Sequence, residues 1–248
     1  LGDRFAVTLL STLFPLLCWF AYNYGVPLLE KRRPSLSTIM SMQRRRWVAN
    51  AVSRDTPLDA ILAGNLMGSV SFLASTSVLL ALAVFTAFGN LTALMGTLST
   101  VGLQVTYSTH DVQLHLFAML AIFVLSFFSF TLALRQFNHF CILLGAIDHS
   151  GHTTADEITA IAQLNSLAAK NFNNGIRAYY FAVPMVFWFV SEWVAIGVSA
   201  LTVAFLIHRE FFSSAHRVAA SVAVLASRRE QEHGPGSAHA VRRDTTGL

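Results

Sequence analysis

Charge is what this chain has least of. Asp, Glu, Lys and Arg make up 12% of its 248 residues, against 54% hydrophobic ones. A soluble domain carries about 25% charged residues. The deficit, together with several long apolar runs, argues against an ordinary water-soluble fold and for a chain that crosses a membrane several times. Cysteine is scarce too. Cys18 and Cys141 fall in separate apolar segments, so no thiolate metal cluster is expected and the pair reads as buried free thiols. No P-loop, dinucleotide fingerprint, zinc-protease motif or nucleophile elbow occurs. No Ser–His–acid arrangement is legible, and no aromatic-basic module for nucleic acid. The expectation is therefore a protein that is not an enzyme, with no cofactor, no metal and no nucleic acid. Internal repeats, the usual mark of secondary transporters, are not visible either.

What the chain does have is apolar helix-forming sequence, and Pro57 to Phe88 is its longest stretch. At 1.5 Å per residue its 32 residues reach roughly 48 Å, against a hydrocarbon core of about 30 Å. Its first turns should stand in water and its later part should span. Gly64-x-x-x-Gly68 is a close-packing pattern of membrane helices, and Ser71-x-x-x-Ser75 repeats it in weaker form. On this ground the stretch is expected to be the packing hub.

The rest is built around it. Residues 1–29 hold the first span, Phe5 to Tyr24, which Pro15 is able to kink. Residues 30–56 form a basic segment with Lys31, Arg32, Arg33, Arg44, Arg45, Arg46 and Arg54. Apolar residues alternate with these charges, and Pro34-Ser35 marks a helix start. This predicts an amphipathic helix on the cytoplasmic face, with Trp47 at headgroup depth. It either recruits anionic lipid or only orients the chain.

Residues 57–146 hold two long spans with an external loop, Gly89 to Asp111, that has no Lys or Arg. The second span, Val112 to Leu134, stays helix-compatible to about Ala146. Residues 147–174 form a cytoplasmic loop and a helix that opens at a capping box, Thr154-x-x-Glu157. Residues 175–210 are two apolar segments broken at Ser191-Glu192-Trp193. Read as a hairpin, they leave every Lys and Arg except Arg4 on the cytoplasmic side, as the positive-inside rule prefers. Residues 211–248 are a basic cytoplasmic tail. The expected fold is all-α: a polytopic transmembrane bundle of five spans with a cytoplasmic helical lobe, N-terminus outside, in a bacterial inner membrane. Ile61, Leu66, Met67, Phe140, Leu143, Ile161 and Leu164 are the expected lobe core.

Three pieces read together: RRRWVANAVSRDTPLDAILAGNLMGSVSFLASTSVLL, RQFNHFCILLGA, and NFNNGIRAYYFAVPMVFWFV followed by HREF. From about Arg32 to Phe212 the chain resembles DUF599, a family of membrane proteins of unknown function. The resemblance implies a helical membrane protein of four to five spans. It implies no reaction, substrate or catalytic residue.

Asn65, Ser69, Thr76, Arg135, Asn138, Asn174 and Arg177 are the candidates for a polar vestibule, electropositive because neither arginine has an acidic neighbour in sequence. The simpler account is snorkelling arginines and interhelical hydrogen bonds. Gly64, Gly68, Ser71 and Ser75 are the candidate helix-packing residues. Asp148-His149-x-x-His152 is a weak metal pattern that carries no metal assignment. Glu192 is expected to be a solvated turn residue. The expected function is an oligomeric pore or transport component for an ion or small solute. The alternative is an accessory or scaffold subunit of a larger membrane complex. The expected partners are anionic lipids and either further copies of the chain or other subunits.

Overall fold

The computed structural model describes residues 2–31, 33–54, 57–100, 107–148 and 152–232. These residues form eight helices and no strand: α1 (Gly2–Glu30), α2 (Leu36–Val52), α3 (Leu58–Gly89), α4 (Leu91–Thr100), α5 (Thr109–Gly145), α6 (Ala155–Phe187), α7 (Glu192–Phe211) and α8 (Ser214–Glu232).

Among the described residues four apolar stretches, rather than the five spans expected, are long and apolar enough to cross a membrane: Ala6–Glu30, Leu58–Gly89, Thr109–Gly145 and Glu192–Arg229. α1 runs through Pro15 and Pro27 without a break. α5 overshoots a bilayer as its unbroken sequence requires. Both capped starts form: Ser35 Oγ accepts from the Thr38 amide, and Thr154 and Glu157 make a reciprocal box at the start of α6. The box works because each short side chain reaches back to an amide that has no partner inside the helix.

α5, not α3, is the hub. It packs along both α6 and α3 and also meets α1. The reason lies in helical phase. Beyond Asp59 in its first turn, the residues α3 buries, Ala63, Val70, Ala74, Ser77 and Val84, form one stripe against α5. Gly64, Gly68, Ser71 and Ser75 lie one position further on, about 100° around the helix. Nothing lies within 4 Å of a Cβ placed at either glycine, and both serines are exposed. The close approach occurs instead at Gly175 of α6, where a Cβ would stand 2.6 Å from the Phe130 ring of α5. Gly175 does not end a helix either. The lobe helix expected to stop near Phe172 and the span expected from Gly175 are one continuous α6.

The chain then turns back at 188–191, with the Val190 amide bonded to the Phe187 carbonyl, and α7 descends beside α6 and α1. The C-terminal half of α6 is thus enclosed by α1, α5 and α7. Its charged N-terminal half lies in the lobe. There it meets α2, which also packs on α8.

The core falls into two parts. At the end holding the 188–191 turn, Trp188, Phe181, Met185, Ile122 and Val112 are sealed from solvent. At the lobe end Val48, Ala63, Phe130, Phe137, Phe140 and Ile161 pack together, with Met67 and Leu164 partly buried against them. Ile61, Leu66 and Leu143, expected in that core, are exposed. They lie on the outer sides of α3 and α5, away from the α3–α5 seam.

A basic cavity where the bundle meets the lobe

α1 carries a line of hydrogen bonds along its inward face. Thr8 Oγ1 donates to the Glu192 carboxylate, so Glu192 ties α7 to α1 rather than standing free in a turn. Trp188 Nε1 donates to Ser11 Oγ at 3.0 Å. His115, fully buried, places Nε2 at 2.8 Å from the Met185 carbonyl and Nδ1 at 3.2 Å from the Thr12 hydroxyl. A carbonyl only accepts, so in the neutral ring Nε2 carries the proton and Nδ1 accepts from Thr12. Trp188 stacks on His115 at 4.1 Å between ring centroids. Further along, Trp19 Nε1 donates to the Asn174 carbonyl at 3.2 Å. These polar groups close the α1–α5–α6 seam by satisfying one another.

The seam ends in a cavity of about 280 Å³ at the lobe end. Three helices line it, each with a stripe at helical spacing: Asn23, Pro27 and Glu30 of α1; Ser37, Ser41 and Arg44 of α2; Ser166, Lys170, Asn173 and Arg177 of α6. Three cations therefore face one space. Arg177 is fixed from behind: Nη1 donates to Asn23 Oδ1 at 3.0 Å, and its guanidinium sits 4.9 Å from the centroid of the Tyr22 ring. Ser41 and Ser166 hydroxyls bridge α2 and α6 at 2.9 Å. Glu30 is the carboxylate on the wall, and it accepts from the Ser35 hydroxyl. Among the described residues no carboxylate lies within ion-pair distance of Arg44, Lys170 or Arg177. Burial pushes the Arg44 pKa down from its ordinary value, the direction for a cation taken from water without an anion beside it.

A second cavity, about 330 Å³, lies between α2, α3 and α5. Its polar end is a closed pair: Asp59 Oδ1 accepts from Trp47 Nε1 at 2.6 Å and from Arg54 Nη2 at 2.8 Å. Trp47 is therefore a strut between α2 and α3 and packs on Phe140; it is half-buried rather than spread on a surface.

The seven vestibule candidates do not converge. Asn65 and Ser69 are exposed on α3, with Ser69 Oγ donating to the Asn65 carbonyl of its own helix at 3.1 Å. Thr76 does the same to Phe72 at 2.9 Å. Arg135 and Asn138 are exposed on α5. Asn174 and Arg177 lie at the α1–α6 seam, and of the seven only Arg177 lines the basic cavity. Sequence reasoning missed Lys170, Asn173 and Ser166. The signal was present: 166, 170, 173 and 177 share one helical face. Asp148 and His152 lie 3.4 Å apart, and His149 falls outside the described residues. Among the described residues no group of three metal-ligating side chains assembles. Both cysteines are free and half-buried.

A sealed helical bundle with four stretches able to span a bilayer, a helical lobe and a cationic cavity at their junction defines a multi-span α-helical membrane protein. The profile of DUF599, described as a protein of unknown function, matches residues 10–215. The chain belongs to that family. No curated protein and no solved structure matches it.

Proposed function

We propose that this protein is a non-enzymatic transport component that receives a small anion at the lobe end of its bundle. The observation that carries the reading is the cavity itself: Arg44 from α2 and Lys170 and Arg177 from α6 line one polar space, and among the described residues no carboxylate is paired to them. Like charges held together at membrane depth need a partner or a solvated cavity, and an incoming anion supplies the partner. The lobe end is cytoplasmic in this proposal. Arg45, Arg54, Arg209 and Arg217 gather there with the cavity, while Asp111 and Glu192 mark the other end, which is the sorting the positive-inside rule describes. An inner, plasma membrane fits the same reading.

Within one chain the seam beyond the cavity is closed by Trp188, His115 and their partners, so transport in this proposal opens that seam. The α3 face carrying Gly64 and Gly68 is free to receive another helix. Reconstituted protein should pass small anions and exclude cations, and Arg177→Gln should lower anion flux at least tenfold. Reconstituted protein with no anion flux, from preparations shown to be folded and inserted, sinks the proposal.

The accessory-subunit reading is favoured by a different observation. Val218, Val222 and Leu225 form an exposed apolar stripe on α8, and the open α3 face would seat an unlike helix equally well. It predicts co-purification with other chains at native expression. Recovery of this chain only, alone or with itself, argues against it.

A further inference from the structure

Resting on the anion reading of the same cavity, we propose that its ligand is a phosphoryl group, presented either as a free phosphate ester or as a phospholipid headgroup. The donor set decides the class. Three cations approach from two helices, with Ser37, Thr38 and Asn173 around them. A halide has no shape to satisfy a guanidinium fork, and a carboxylate offers two oxygens in one plane. A phosphoryl group offers three oxygens directed apart, which suits donors that come from different directions, and its remaining lone pairs suit the hydroxyl and amide donors. Arg177 is suited to this because its orientation is already set by Asn23 and Tyr22, which leaves the other edge of its fork for the ligand.

Size and place agree. The cavity holds about 280 Å³, many times the ≈30 Å³ share of a liquid water molecule, which is room for a phosphoryl group with a short polar stem. It opens beside the last turn of α1, at Pro27 and Glu30, where a membrane-spanning helix meets the basic helix α2. Headgroup phosphates stand at this depth. Glu30 on the wall repels a purely anionic stem and accepts from a hydroxyl or ammonium, so the favoured stem resembles glycerol or ethanolamine.

The test uses the full chain, purified in detergent and stripped of lipid. Binding of sodium phosphate, glycerol phosphate, chloride and acetate is measured at equal ionic strength by calorimetry. Native mass spectrometry follows the protein from nanodiscs containing phosphatidylglycerol. The variants are Arg177→Gln and Lys170→Gln; Lys170 is exposed and makes no hydrogen bond among the described residues, so its variant keeps the fold even if the first does not. Phosphate or glycerol phosphate binding at least tenfold tighter than acetate, and at least fivefold weaker in Lys170→Gln, supports the proposal with a soluble source. One retained phosphatidylglycerol per chain, lost in Lys170→Gln, supports it with a lipid source. Chloride or acetate binding as tightly as phosphate, with the same loss in Lys170→Gln, overturns the phosphoryl class and leaves the anion cavity standing. Absence of every anion and of any retained phospholipid overturns both.

Discussion

Gly175 stands apart among the described glycines: a Cβ placed there would meet the Phe130 ring at 2.6 Å. That ring is fully buried and held between Phe172 and Tyr179, with centroids 5.9 and 5.6 Å away. A methyl group at 175 has to displace it, and overpacking of this kind costs about 1–3 kcal/mol. Gly175→Ala should lower the melting temperature in detergent, and Phe130→Leu in the same chain should recover part of the loss. Additive losses in the double variant would show that the two do not touch. Asn165 presents the opposite case. It is fully buried, and neither end of its amide has a partner among the described residues. Leaving such a group unpaired costs roughly 1–3 kcal/mol, so Asn165→Leu should melt no lower than the parent and should melt higher if the site is dry. A clear drop in its melting curve would mean that a water or ligand holds the amide. Neither residue was conspicuous in the sequence. Gly175 follows two asparagines and looked like a break, and Asn165 looked like one polar residue among many.

At the scale of the element, run length and capping were legible and rotation was not. α3 and α5 have the lengths their uninterrupted apolar sequence demands, and α6 starts at Thr154 because a hydroxyl and a carboxylate stand three residues apart. Which side of α3 would pack was not readable, because small residues occupy more than one side and lipid accepts an apolar surface as readily as a neighbouring helix does. The continuity of α6 was hidden for a related reason: its C-terminal half is shielded by α1, α5 and α7 and tolerates Asn174 and Arg177. The cap at its start makes a pH-dependent prediction. The Thr154 amide and hydroxyl both donate to Glu157 and hold its carboxyl below the usual carboxylate range. Because the folded pKa is the lower one, the contribution is complete above the unfolded value and is lost as pH falls through the folded value. Amide exchange over the first turn of α6 should therefore rise on acidification below the ordinary carboxylate range, after correction for intrinsic rates. Glu157→Gln should exchange faster at neutral pH and lose that acid dependence. An acid response unchanged in the variant would assign it to another group.

For the whole molecule, the organising contacts are those that fix which end of the bundle each helix reaches. The turn at 188–191 returns the chain to the end where α1 begins, since Thr8 reaches Glu192 and Ser11 reaches Trp188. α7 then descends to the lobe, where Glu210 caps the start of α2 through the Ser37 amide at 3.0 Å and His216 reaches the Pro34 carbonyl at 3.0 Å. Both contacts require α2 and α8 to lie on the same side of whatever the bundle crosses. Were α6 and α7 one continuous crossing, α8 would emerge at the opposite end and neither contact could form. Single cysteines at Arg45, Arg228, Ser108 and Glu192, in a chain with Cys18 and Cys141 replaced by Ser, separate the two arrangements. A membrane-impermeant maleimide should label 45 and 228 from one face and 108 from the other. Position 192 should label slowly from the face of 108, because it is half-buried. Labelling of 45 and 228 from opposite faces would require the α6–α7 turn to open, and the cationic cavity would lose the α2–α8 packing that braces one of its walls.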